Sequence, residues 1–244
     1  MTGTKNCKKV IEFEERAVAF IDVLGFSPLV NSANDDSTYY EKLNKLIELL
    51  GSAIPLLDSK VSTEVPSELI PKHIYISDSI ILSAPLRPNI RTNYRGLSIL
   101  VMRAIQLTHM LLNAGYLIKG GISVGKVWHS DTNIVGPAYQ EAYKMESSGI
   151  APHIRLTDSA MKYWKETEGG GNRMSLEYRG EFMVNGLHDF YINSSSQGTA
   201  KKAFAKYSEI IEENVNGNLP EPARYKWWWM SQYLVHENQT NVFV

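Results

Sequence analysis

The stretch Val18-Ala-Phe-Ile-Asp22-Val-Leu-Gly25-Phe-Ser27 decides how the rest of the chain is read. Residues 18–21 form a short apolar run with β-branched and aromatic side chains, Gly25 breaks it, and helical spacing begins near residue 38. That pattern sets Asp22 at the end of a buried strand and against a glycine turn. A carboxylate at the lip of a sheet can hold a hard cation while amides freed by the turn cradle a phosphate. An aspartate that simply ends its strand is the plainer alternative, and one short motif does not separate the two.

A second stretch, Ile74-Tyr-Ile-Ser77-Asp78-Ser-Ile-Ile-Leu82, again puts one carboxylate inside an apolar run, which reads as a single strand over 73–84. No basic residue stands beside Asp78 in sequence, and a buried unpaired charge is costly. If the strands of Asp22 and Asp78 are neighbours joined through a helix, the two acids can share one or two Mg²⁺ or Mn²⁺ ions. A third stretch, Lys119-Gly-Gly-Ile-Ser-Val-Gly125-Lys-Val127, is an apolar strand that pauses at glycines. It is followed by Asn133-Ile-Val-Gly136-Pro-Ala-Tyr-Gln140-Glu-Ala-Tyr-Lys144-Met-Glu146, where Gln140 and Lys144 lie four apart on one helical face.

Composition narrows the classes. The 244 residues allow one domain with a sizeable core, and we expect a single domain over 1–244, its core near 16–193 and a helical extension near 198–240. A net charge of −1 with scattered acids and bases argues against nucleic-acid binding, which needs clustered Lys and Arg. Cys7 is the single cysteine, which excludes an intrachain disulfide or a cysteine zinc site and suits a reducing compartment. No apolar run approaches the roughly 20 residues of a membrane span, and residues 1–9 lack the apolar core of a signal peptide. A cytoplasmic location is expected.

Taken in order, the chain predicts a strand over 15–22 and a helix over 38–55 ended by Pro55. A loop over 59–71 leads to the strand over 73–84 and a helix over 92–113 with a broad apolar face. Next come a strand over 116–128 bent at Gly120-Gly121, the helix bearing Gln140 and Lys144, and a short strand over 153–157. Asp158 is expected to cap a helix through 164, before a glycine-rich loop over 168–173. Asn185-Gly186 predicts a hairpin of 175–184 with 187–192. Two helices follow, over 199–214 and 221–237. The second carries Trp227-Trp-Trp229, and three consecutive tryptophans cannot share one helical face, so at least one is expected to pack beyond its own core.

The four blocks together are more specific than any one of them. Phe20-x-Asp22-x-x-Gly25-Phe26, an aspartate between apolar runs, Lys119-x-Gly-Ile-x-x-Gly125 and Gly136-x-x-x-Gln140-x-Ala-x-Lys144-x-Glu146 resemble, in order over 18–157, the class III nucleotidyl cyclase catalytic domain. The resemblance implies an α/β, ferredoxin-like βαββαβ sandwich whose two long helices cover one sheet face, with a C-terminal hairpin and helices. It implies attack of a ribose 3′-hydroxyl on the α-phosphorus of a nucleoside triphosphate, with two Mg²⁺ or Mn²⁺ ions per site. Asp22, Asp78 and the carbonyl of Val23 match the metal-facing positions. The amides of Leu24, Gly25 and Phe26 match the phosphate cradle, and Lys119 stands where the family has a triphosphate-directed arginine. A solvated strand-end lysine is the plain alternative for Lys119.

Departures from the family pattern matter equally. Gln140 and Lys144 replace the asparagine and arginine of the transition-state helix, which leaves room for a differently placed arginine such as Arg103 or Arg155. Ser77 replaces a glycine. Ile74 and Asn133 replace the lysine and aspartate that read adenine, so adenine selectivity is not expected. The Lys-Gly-Gly-Ile, Tyr-Ile-Ser-Asp-Ser and Gly-Pro-Ala-Tyr-x-x-Ala-Tyr-x-x-Glu blocks are most similar to the bacterial pyrimidine cyclases of Pycsar anti-phage systems. That closer resemblance implies UTP as substrate, or CTP, a homodimer with composite active sites, and a separate effector activated by the cyclic nucleotide. The alternatives are a degenerate nucleotide-binding module, suggested by Gln140 and Lys144, and a diguanylate-type cyclase, whose acidic hairpin Gly120-Gly121-Ile122 lacks. A pure dimerisation module would leave both aspartates unexplained.

Overall fold

The structure is a computed structural model describing residues 11–89, 91–168, 173–189 and 197–240. In order, the chain forms β1 (Glu14–Val23), α1 (Phe26–Ala33), α2 (Ser37–Asp58), β2 (Lys72–Ile76), β3 (Ser79–Pro85), α3 (Gly96–Asn113), β4 (Ile118–His129), β5 (Ile134–Val135) and α4 (Pro137–Ser148). Then come β6 (Ile154–Leu156), α5 (Asp158–Thr167), β7 (Ser175–Tyr178), β8 (Glu181–Val184), α6 (Gln197–Asn216) and α7 (Glu221–Thr240).

The sheet runs β2-β3-β1-β4-β6-β8-β7, with β5 attached to β4. Its β4-β1-β3-β2 part is antiparallel throughout, and β1 reaches β2 through helices while β3 reaches β4 through α3. This is the ferredoxin-like βαββαβ arrangement expected. The parallel pairing of β6 to β4 and the antiparallel pairs β6–β8 and β8–β7 extend it.

Alternation along β1 shows why its sequence reads as one apolar run. Ala17, Ala19, Ile21 and Val23 join the core under α2, α3 and α5, whereas Val18 and Phe20 join the core under α4. A strand covered on both faces needs apolar residues at every position. Ile21 is fully buried, and its truncation to Ala would cost roughly 2–5 kcal/mol. Asp22 follows Phe20 by two residues and so projects on the α4 face.

Several expectations need correction. The run over 73–84 is a hairpin, β2 turning into β3 at Ser77-Asp78, so Asp78 sits in a turn and not within a strand. Strand β4 is unbroken at its glycines. Gly121 is required because α4 crosses there in backbone contact: a Cβ would lie 2.3 Å from the Ala142 carbonyl oxygen. Pro55 lies inside the last turn of α2, and α1 is a helix that the sequence pattern does not predict. Thr157, not Asp158, caps α5, its hydroxyl accepting from the Ala160 N–H. The C-terminal hairpin turns at Arg179-Gly180, with φ of 53° and 81°, so 175–184 holds both of its strands. Asn185-Gly186 follows that hairpin, and residues 190–192 lie outside the described residues. Of the expected glycine-rich loop, 169–172 also lie outside them.

The helices α6 and α7 pack with Leu112, Leu117, Met183 and Leu187 in a second core. Trp227 and Trp229 are buried in it. Trp228 is 41% exposed and packs outside, with the Arg179 guanidinium 5.3 Å from its ring centroid.

Candidate active site

The site forms where β1 ends. Register pairs Asp22 with Ser79 on one side and with Lys119 on the other. The N–H of Val23 donates to the carbonyl of Asp78 at 3.2 Å, which pins the β2–β3 turn against the end of β1. The structure thus brings both aspartates to one sheet end, and the hydroxyl of Ser79 donates to Asp22 Oδ1 at 2.9 Å.

Burial pushes the Asp22 carboxyl up to about 6, and the negative charges of Asp78 and Glu146 add to the rise against the Ser79 hydrogen bond and Lys119. A carboxylate disfavoured in this way is one that a cation would restore. Among the described residues no three His, Cys, Asp or Glu side chains converge as a metal-binding group. Two carboxylates still suffice for Mg²⁺, which is held by one or two of them together with substrate phosphates. The residues present fit such an ion.

The loop after Asp22 is shaped by Gly25, which takes φ of 86° and precedes α1 without a side-chain cap. The N-terminal amides of α1 therefore have no side chain of Gly25 to meet them. One part of the expected cradle fails: the Leu24 N–H donates to the Leu117 carbonyl at 2.9 Å and is already used. Its side chain turns instead toward the tryptophan core.

Lys119 also differs from a solvated lysine. Its Nζ lies 2.6 Å from Glu146 Oε1, with 19% and 7% of the two side chains exposed. Glu146 belongs to the inward stripe of α4 with Ala138 and Ala142. The sequence pattern alone assigns it no role.

Gln140 and Lys144 occupy the outward side of α4, exposed, and their side chains make no hydrogen bond or ion pair among the described residues. The structure does not link them to Asp22 or Asp78 of the same chain. Arg103 is unavailable as a substitute, since it is buried against Asp58 at 2.6 Å. Arg155 is committed too, donating to the Met145 carbonyl, to Ser148 and to Glu181. Ile74 is half-buried on the α4 face, pairing with Ile81 of β3 and packing against the cluster that holds Phe20. Asn133 is exposed immediately before Ile134 of the same cluster. Sequence reasoning missed Lys226 of α7, half-buried, whose pKa is lowered first by burial and then by the Lys119 charge, with Asp22 opposing.

No family model matches the sequence, and no curated protein matches it. Solved structures similar to this chain include the catalytic core of a rhodopsin-guanylyl cyclase with converted specificity in complex with ATPalphaS. It is 20% identical, with 70% of this chain and 95% of that chain covered at a TM-score of 0.47. The adenylyl cyclase CyaB from P. aeruginosa is 14% identical over 71% and 94% of the two chains, with a TM-score of 0.44. A class III adenylyl cyclase-like ATP-binding protein from Pseudomonas aeruginosa is 10% identical over 94% of this chain and 44% of that one, at 0.46.

Proposed function

We propose that this chain is a nucleotidyl cyclase that converts a pyrimidine nucleoside triphosphate, UTP ahead of CTP, to the 3′,5′-cyclic monophosphate and pyrophosphate. The observation that carries the reading is the convergence of Asp22 and Asp78 at one sheet end, fixed by the Val23–Asp78 backbone bond. Both acids and the Val23 carbonyl would hold the ions. When bound, Mg²⁺ or Mn²⁺ would lower the pKa of the ribose 3′-hydroxyl and neutralise the triphosphate. The chain's own contribution is to fix the in-line geometry. Gly25 and Phe26 offer backbone amides to the phosphates, and Lys119, released from Glu146 or shared with it, offers a cation.

Ile74 supplies apolar volume where a purine reader would carry a lysine, and Asn133 offers both a donor and an acceptor to a pyrimidine edge. The outward placement of Gln140 and Lys144 supports a homodimer in which these two side chains complete the partner's site. A single domain over 1–244, a cytoplasmic setting and a separate effector that reads the product in anti-phage defence belong to the same proposal, the last on resemblance alone. No described helix is long and apolar enough to cross a membrane.

A second reading, a nucleotide-binding module without turnover, is favoured by Gln140 and Lys144 in place of the asparagine and arginine. Incubation with UTP, CTP, ATP and GTP in Mn²⁺, followed by product mass, separates the two. A cyclic monophosphate supports the cyclase, and bound but unconverted nucleotide supports the module.

A further inference from the structure

Helix α7 carries Trp229, Met230, Tyr233 and Glu237 buried at helical spacing. Lys226 precedes them by three, four, seven and eleven residues, so it opens the same stripe. A lysine at the end of a buried stripe carries its ammonium along the apolar surface to the nearest polar region. The cluster under that stripe contains Leu117 and, partly buried, Leu24, which are joined by the Leu24 N–H to Leu117 carbonyl bond. Leu24 lies two residues after Asp22, and Leu117 two before Lys119. Trp229, three residues after Lys226, stacks on His153 at 4.8 Å, and the His153 carbonyl accepts from the N–H of Gly120, next to Lys119, so the Lys226 end of the stripe meets the sheet end that holds Asp22 and Lys119.

Lys226 is half-buried and makes no ion pair or hydrogen bond among the described residues. Burial lowers its pKa, the Lys119 charge lowers it further, and Asp22 opposes both. Lys119, by contrast, is neutralised by Glu146 at 2.6 Å. Of these two cations at the sheet end, Lys226 is the one without a carboxylate partner.

We propose that Lys226 binds the polyphosphate of the substrate, as a point charge on the part that leaves as pyrophosphate. This rests on the reading of the site as a nucleotidyl cyclase. A lysine suits the role because its ammonium is a compact charge on a flexible stem and needs no fixed fork geometry. It assigns to the C-terminal helix pair a share in the active site.

The test is calorimetric titration of inorganic tripolyphosphate in Mg²⁺ into wild-type protein, Lys226→Gln and Lys226→Arg. Removing a charge-assisted hydrogen bond should weaken binding roughly tenfold in Lys226→Gln, whereas Lys226→Arg should stay within about threefold of wild type. Amine acylation of the wild type, read by mass spectrometry, gives a second measurement that needs no variant: tripolyphosphate should protect Lys226. Wild-type binding with equal affinity in Lys226→Gln, or with no protection, would overturn the role of Lys226 and leave the cyclase reading standing. A wild type that binds neither tripolyphosphate nor UTP would sink both.

Discussion

Lys119 of β4 and Glu146 of α4 form an ion pair at 2.6 Å beside Asp22. Glu146 is nearly buried, so removing its charge leaves the Lys119 ammonium without its partner in a partly dry site. Glu146→Gln is expected to destabilise the protein by about 1–3 kcal/mol, read from urea unfolding. Tripolyphosphate in Mg²⁺ should restore part of that loss, because the freed Lys119 gains an anion. A variant as stable as wild type would mean that the pair contributes nothing.

Asp22→Asn and Asp78→Asn are each expected to abolish cyclisation without unfolding the protein. Asp22 carries a pKa raised to about 6 by burial and by the neighbouring acids, so its charged form is disfavoured relative to an exposed aspartate. Neutralising it should raise metal-free stability at pH 7 by on the order of 1 kcal/mol, after discounting for its partial exposure. Thermal melts with EDTA check the stability, and product formation checks the activity. Full activity with metal present would make these acids structural.

Acid stability has a separate origin. The Nε2 of His109 lies 2.8 Å from the His188 carbonyl, which only accepts, so Nε2 carries the proton and Nδ1 accepts from the Tyr207 hydroxyl at 3.0 Å. Burial lowers this histidine to about 4, and His129 and His153 are lowered to about 4 by the same cause. The unfolded chain binds these protons below about pH 6.5 while the folded one does not, so stability is lost as pH falls from 6.5 toward 4. Asp22 acts in the opposite sense between about 4 and 6. His109→Gln should remove up to about 3 kcal/mol of the stability loss accumulated between pH 6.5 and 4, and so flatten the slope there. Unchanged slopes for wild type and variant would show that His109 does not titrate as described.

What the sequence disclosed follows from burial. β1 was legible because both of its faces are covered, and the helices over α2 and α3 because each has one broad apolar side. The turn at Ser77-Asp78 was hidden because Ser77 takes φ of 58° without being glycine. Asn185-Gly186 misled for the opposite reason. Asn185 is fully buried, donating to Glu237 at 2.9 Å and accepting from Tyr233 at 2.6 Å, so it serves as a polar link between β8 and α7. Asp22 was legible as an acid ending a buried strand against the Gly25 turn, and Asp78 as an acid in an apolar run with no basic neighbour in sequence. Lys226 could have been found as the one charged residue opening a stripe of aromatic side chains.

The exposed side of α4 leads to a prediction about assembly. Gln140 and Lys144 are free of partners among the described residues, whereas Glu146 on the same helix faces Lys119. If each site takes its metal ligands from one copy and its transition-state helix from the other, Asp22 and Lys144 act in trans. A 1:1 mixture of Asp22→Asn and Lys144→Ala, its mixed dimers verified by mass, should regain up to about one quarter of wild-type activity, since about half of randomly paired dimers are mixed and each has one intact site of two. Activity no higher than that of either variant alone would rule out shared sites.

The last prediction concerns the base. Ile74, four residues before Asp78, is half-buried, pairs with Ile81 of β3 and packs on the α4-face cluster that holds Phe20, so the surface leading away from the two acids is apolar there. A lysine at this point would bring a donor for a purine ring. On the proposed reading an isoleucine fills volume instead and favours a single-ring base, and Asn133 makes the polar contact, its amide turning to serve either uracil or cytosine, so that UTP over CTP follows from the closer resemblance. Initial rates on the four triphosphates at equal concentration should fall in the order UTP, CTP, then the purines. Ile74→Lys should lower the pyrimidine rates by roughly tenfold, about 1.4 kcal/mol, by putting a charge where the proposed base contact is apolar. An ATP rate above both pyrimidine rates in the wild type would overturn the roles given to Ile74 and Asn133, and leave the proposal for Asp22 and Asp78 untouched.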